Sequence, residues 1–253
     1  MKLENTIFYK NQWRWAEYFK YLIFKSKEYN LIEKEIPVKF RYKESFYGSN
    51  KNKKIVNLLN WAAGSERIIT SRALCINSAN YSVLNFLIVP NSIYNMPFLG
   101  IDFVSLPGYH LVVIDFQPSL NLAKQFKTEW LDKLLNIKNK FYQQFPFKQE
   151  MSKEFARFFS PGLIWMKLKK NQDSDYLISN QLFDIFKDYL NLYFDILYKA
   201  DKVNSDLKLE VIQGQKFYLN FRKNKDPARP MLNTLFGSDF TESLLDDFLF
   251  KFE

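Results

Sequence analysis

The sequence predicts an α/β chain: a three-layer α/β/α sandwich with a central antiparallel sheet and helices on both faces. Three observations carry this. Between Lys54 and Pro118, short runs rich in Val, Ile, Leu, Phe and Asn are broken at Gly64–Ser65, Asn77–Asn80, Pro90–Pro97 and Pro107–Gly108, the punctuation of successive strands. These connections are too short to hold a crossover helix, so the strands run antiparallel as a meander. Several strands are apolar at both parities, so both sheet faces are covered, and helical periodicity before and after the strand block supplies the covers.

In chain order, residues 11–27 place Trp15, Phe19, Leu22 and Ile23 at helical spacing with Lys20, Lys25 and Lys27 interleaved. This predicts an amphipathic helix with one packed face and one basic face. The strand block follows. After Pro118 the pattern predicts helices over 127–145, from Tyr176 to Lys199, over 206–222 and from Thr241 to Phe250. No repeat, linker or Gly/Pro-rich hinge divides the chain, and residues 1–253 read as one domain.

Composition narrows the function classes. A chain of 253 residues, 47% apolar and 25% charged, can bury a sizeable core. One cysteine, Cys75, and one histidine, His110, cannot build a Cys/His metal cluster or an internal disulfide, so no metal is expected. The N-terminal segment has no apolar stretch of a signal peptide, and nowhere does an uncharged run approach membrane-spanning length. A cytoplasmic protein without a membrane partner is expected. The formal charge is +9, with 13 Lys+Arg against 6 Asp+Glu in residues 1–54 and 11 against 4 in residues 121–171. Such a surface is either lysine used for solubility or a docking face for a negatively charged protein partner; no recognition motif supports a nucleic acid. Aromatic residues make up 18% of the chain, which signals an aromatic core or a pocket for a large flat ligand.

The seven glycines are too scattered for a dinucleotide fingerprint or a P-loop. There is no G-x-S-x-G, H-E-x-x-H or C-x-x-C. A redox enzyme built from this chain takes its electrons from outside.

Two acids and an amide stand out. Asp102 lies in the apolar run Phe98–Leu106, and Asn85 in Tyr81–Val89. A hairpin centred on the Pro90–Pro97 loop puts Asn85 opposite Asp102 on one sheet face. A second hairpin at Pro107–Gly108 puts Asp102 opposite Val113, Asp115 opposite Gly100, and His110 opposite Ser105 on the other face. A carboxyl desolvated in such a strand has its pKa raised, by about 3–5 units when fully buried, and becomes a proton donor near neutral pH. The commonplace alternative for Asp102 is a backbone-bonding or capping role. Asp226 precedes Pro227 amid basic residues, and this order is typical of a helix start with the acid as N-cap. Its neighbours equally suit an anionic ligand. Ser160 and Lys167 are placed to hold a carboxylate, although a turn serine and a solvated lysine are the ordinary expectation.

Together, SVLNFLIVP, MPFLGIDFVSLPGYHLVVIDFQP, FFSPGLIW, KDPARPML, LFG and a closing DDFLF resemble, in order and spacing, the ferredoxin-dependent bilin reductases. The resemblance runs from about residue 55 to the C-terminus. It implies a bilin bound between the sheet and the C-terminal helices, no bound cofactor, and reduced ferredoxin as external one-electron donor. By motif position, Asp102 matches the family's central proton-donating aspartate. Asp226 matches a second aspartate of members that reduce the A-ring vinyl system. Asn85 stands where members making phycocyanobilin have a histidine, which argues against that subtype; its implied role is to orient the ligand or Asp102. Ser160, Lys167 and Arg222 are the implied propionate contacts. The wording is most like members that reduce 15,16-dihydrobiliverdin to phycoerythrobilin, with the preceding reductase of that sequence as a further possible partner. Members that act on biliverdin, or a non-catalytic bilin carrier, are the alternatives.

Overall fold

The computed structural model describes residues 3–10, 12–144 and 156–252. Its centre is one antiparallel sheet. After a first helix, α1 (Ala16–Glu28), come β1 (Ile32–Glu33), the short α2 (Val38–Arg41), β2 (Tyr42–Tyr47), β3 (Lys54–Gly64), β4 (Ile68–Ser78), β5 (Ser82–Pro90), β6 (Phe98–Leu106) and β7 (Tyr109–Gln117). Then follow α3 (Leu122–Gln125), α4 (Thr128–Gln144), β8 (Ile164–Lys169), α5 (Gln172–Ser179), α6 (Gln181–Lys199), α7 (Ser205–Lys225), α8 (Arg229–Phe236) and α9 (Ser238–Leu244), which runs into a π-helical turn at Leu245–Leu249. Strands β3 to β8 are neighbours in sequence order, and β1 and β2 share the outer edge of β3.

The expected meander is present, and so are both covers. On one face Trp15, Phe19, Leu22, Leu134, Phe186, Tyr189 and Tyr193 pack against the even-numbered residues Leu84, Phe86 and Ile88 of β5. On the other, Phe40, Tyr218, Leu219, Leu232, Phe236, Leu245 and Phe248 pack against Val83, Leu87 and Val89. Alternate residues of one strand feed two cores, which is why the strands read as apolar at both parities.

Some expectations shift. The first helix opens at Ala16 rather than at 11, and Lys25 is buried, paired with Glu28 at 2.7 Å and stacked over Tyr29, so it takes no part in a basic face. The single helix expected from Tyr176 to Lys199 is two, because the chain turns at Asn180. An Asn171–Ser174 capping box starts the first of them. Strands β1, β2 and β8 and helix α8 lie outside the sequence-predicted elements. Part of the helix expected over 127–145, at residue 145, and part of the basic 121–171 segment, at residues 145–155, lie outside the described residues. No helix among the described residues is long and apolar enough to cross a membrane.

Candidate active site

The register expected from the two turns is the register observed. Asn85 pairs with Asp102. Asp102 pairs with Val113, Gly100 with Asp115, and Ser105 with His110. Parity then puts Asn85, Asp102 and Asp115 on the face covered by α7 and the C-terminal helices. His110 lies on the opposite face, wholly buried, with Nδ1 2.7 Å from the Ser105 hydroxyl. Burial, with the charges of Arg14 and Lys170, lowers its pKa to about 4. It serves no role at the aspartate site.

Asn85 donates its side-chain amide to Asp102 Oδ1. The other carboxylate oxygen, Oδ2, is 3.6 Å from Nη2 of Arg222, in the last turn of α7. Arg222 is therefore a second, unforeseen contact of Asp102. Its guanidinium also donates to the Tyr218 hydroxyl at 3.2 Å and lies over the Phe250 ring, 5.4 Å from its centroid. Tyr218 in turn donates to Gln117 Oε1 and stacks on Phe98 at 4.2 Å. Burial pushes the Tyr218 phenol up to about 12, so it remains a hydrogen-bond donor.

Asp226 follows Arg222 at the C-terminal end of the same helix. It closes α7, and its Oδ1 accepts from Ala228 N at 2.7 Å. The expected helix start at Asp226–Pro227 is not formed: α8 begins at Arg229, with Ala228 as its N-cap position and Pro230 near its start. The carboxylate instead braces the turn between two helices. Burial raises its pKa, the Arg222 charge pulls it down, and the Asp102 charge raises it again. Asp226 is thus within electrostatic reach of both Arg222 and Asp102. Two acids separated by more than a hundred residues in the chain share one guanidinium.

The acid wholly desolvated in a strand is Asp115, rather than Asp102. Asp102 keeps 26% of its side chain open, whereas Asp115 is 0% exposed and its pKa is raised by burial to about 7. Ser160 is likewise buried, and both its N–H, at 2.7 Å, and its hydroxyl donate to Asp115. The carboxylate its hydroxyl holds in this structure is that of Asp115. Lys167 sits at the exposed edge strand on the same sheet face, its ammonium 4.4 Å above the Tyr109 ring. The strand pairing of Asn85, Asp102 and Asp115 is legible in the sequence; Tyr218, Gln117 and the Asp115–Ser160 pair are not, and only the opposition of Asp115 to Gly100 points toward the last.

Gly100 explains how Gln117 fits. A Cβ at position 100 would overlap the Gln117 carboxamide, the acceptor of Tyr218. Gly100→Ala is expected to displace Gln117 and cost about 1–3 kcal/mol, an overpacking penalty, read as a lowered Tm. An unchanged Tm would mean that Gln117 moves freely aside. A separate cleft of about 400 Å3, lined by Glu33, Arg41, Asn60 and Trp61 among others, opens at the β1–β3 edge and contains none of the aspartate-site residues.

Comparison with known proteins gives the family. A family model described as ferredoxin-dependent bilin reductase matches residues 21–251. The chain is 54% identical over 251 residues to phycoerythrobilin:ferredoxin oxidoreductase of Prochlorococcus marinus (strain MIT 9301), covering 99% of both chains. It is 34% identical over 239 residues to the protein of that name in Synechococcus sp. (strain WH8020), covering 94% of this chain and 93% of the relative. The crystal structure of tomato phytochromobilin synthase in complex with biliverdin shares the fold, with a TM-score of 0.78 at 23% identity, covering 92% of this chain and 82% of that one. On this match over nearly its whole length, the chain belongs to the ferredoxin-dependent bilin reductases.

Proposed function

We propose that the chain reduces the A-ring vinyl (diene) system of 15,16-dihydrobiliverdin to phycoerythrobilin, as a single domain that takes electrons one at a time from reduced ferredoxin. The observation that carries this reading is the convergence of Asp102 and Asp226 on Arg222, on the sheet face beneath the C-terminal helices. The identity to relatives that bear the corresponding name supports the choice of substrate.

Two reduced ferredoxins each give one electron, and the product is the substrate plus two hydrogens, so the protein has to supply two protons. An electron added to the tetrapyrrole makes it more basic, and a nearby acid then protonates the substrate radical. Asp102 serves the first transfer and Asp226 the A-ring side. Asn85 fixes the Asp102 carboxyl through its amide bond. Arg222 balances the charge of whichever acid has given up its proton. Lys167, on the same face, serves as a propionate contact, whereas Arg222 is held by Asp102 and Tyr218.

The test mixes the protein, 15,16-dihydrobiliverdin and reduced ferredoxin without oxygen and identifies the product by chromatography. Phycoerythrobilin is expected. A pigment bound stoichiometrically and left unreduced would instead establish a carrier, and reduction of biliverdin alone would move the chain to another activity of the family. The positive charge of residues 1–54 is read as the docking field for an acidic ferredoxin, with the preceding reductase as a possible source of substrate. The rate at limiting ferredoxin is therefore expected to fall steeply as salt rises from about 10 to 200 mM, because the Debye length shrinks across that range. A salt-independent rate would remove the electrostatic steering.

A further inference from the structure

We propose that Asp115 is a positioning residue of this site: by holding Ser160 it sets the segment 158–162, and through Phe158 it sets the face of α7 that carries Tyr218 and Arg222. The inference deepens the proposed reductase reading, since it concerns the same site.

The segment is tied down at each residue from 160 to 162. Ser160 gives Asp115 two hydrogen bonds, from its N–H and from its hydroxyl. That hydroxyl also accepts the Gly162 N–H at 2.9 Å. Lys138 of α4 donates to Pro161 O at 2.6 Å, and Tyr189 of α6 donates to Gly162 O. Gly162 leaves no room for a side chain, because a Cβ there would overlap Leu134. Two residues before the tie, Phe158 is buried against α7, 4.4 Å from the Phe221 ring centroid and 5.6 Å from that of Tyr218. Tyr218 bonds Gln117 and Arg222, and Arg222 meets Asp102. A continuous chain of contacts therefore runs from a carboxyl that touches no solvent to the guanidinium between the two acids.

The charge on Asp115 bears on this tie. Burial raises its pKa to about 7, against the opposing pull of the Ser160 bonds, the Phe116 N–H and the Lys138 ammonium. The groups that face it are Ser160 from the segment, Lys138 from α4, Tyr189 from α6 and Tyr218 from α7; Gly100, its partner on β6, brings no charge. The folded pKa lies above the 3.8 of a solvated aspartate, so the closed arrangement binds the proton more tightly than an opened one. Its contribution is complete below about pH 4, declines as pH rises toward 7, and is gone above that. The Ser160 bonds favour the charged carboxylate, and burial outweighs them, so the closed arrangement as a whole is most stable in acid and less so above neutrality.

The experiment uses the full chain and no bilin, so its failure is separable from failure of the reduction assay. Amide exchange of Ser160 and Gly162, corrected for intrinsic rate, is followed from pH 4.5 to 8 beside the ring signal of 13C-labelled Tyr218. In the wild type, protection is expected to fall by up to about tenfold per pH unit below 7 and then level off. The Tyr218 signal should shift with a midpoint near 7. Asp115→Asn should abolish both pH dependences. Ser160→Ala removes bonds that lower the pKa, so it should move the Tyr218 midpoint upward, and it serves as the test should Asp115→Asn not fold. The inference is overturned if the corrected exchange keeps the same pH slope in wild type and Asp115→Asn. It is equally overturned if the Tyr218 midpoint is unmoved by Ser160→Ala.

Discussion

Replacing Asp102 by Asn is expected to lower turnover about 10²–10⁴-fold, the range typical for loss of a general acid, while bilin binding survives. Asn has the same shape, and its carbonyl oxygen still accepts the Asn85 amide that now reaches Asp102 Oδ1. What disappears is the transferable proton, and with it the carboxylate that faces Arg222 at 3.6 Å once that proton has been given up. The first electron should still reach the bound pigment, so a bilin radical accumulates. It is read by electron spin resonance and by a stalled visible spectrum after mixing with reduced ferredoxin. Turnover at the wild-type rate would take Asp102 out of the reaction.

Arg222→Gln is expected to damage both stability and chemistry. Breaking a fully buried ion pair costs about 3–5 kcal/mol. With 26% of the Asp102 side chain open to water, roughly half of that is expected. For a chain of this size it corresponds to a Tm lower by about 4–8 °C. The pH effect has a definite sign. Arg222 lowers the Asp226 pKa against burial and against the Asp102 charge, so without it Asp226 holds its proton to higher pH. The alkaline limb of turnover that depends on Asp226 should therefore move upward, measured as kcat against pH in the variant and the wild type. A limb that stays in place would show that Arg222 does not set the protonation of Asp226.

The contrast between β-strand register and helix contacts shows where sequence reasoning stops. Pro90–Pro97 and Pro107–Gly108 each close a short hairpin, and a hairpin fixes the parity of every residue on both of its strands. Asn85 opposite Asp102, Asp115 opposite Gly100 and His110 opposite Ser105 all followed from that. Asp226 had no such rule. Its local sequence is that of a helix cap, yet the carboxylate caps Ala228 in a turn, and only the packing of α7 brings it near Asp102. Ser160 reads from the sequence either as a turn serine or as a carboxylate contact; the carboxylate it holds is Asp115 of the chain itself. The short strand β8 alternates buried and exposed residues over only six positions at the sheet edge. That is too brief a pattern to separate from loop.

The residues alone determined the antiparallel meander, its two apolar faces and the shared face of Asn85, Asp102 and Asp115. These are local properties: turns and alternation act over a few residues and carry their geometry with them. Tertiary structure alone decided that Arg222 stands between the two acids, that Asp115 is the strand acid sealed from water, and that Ser160 is spent on it. Desolvation and charge pairing depend on which distant side chains close over a group, and no spacing within the chain specifies that.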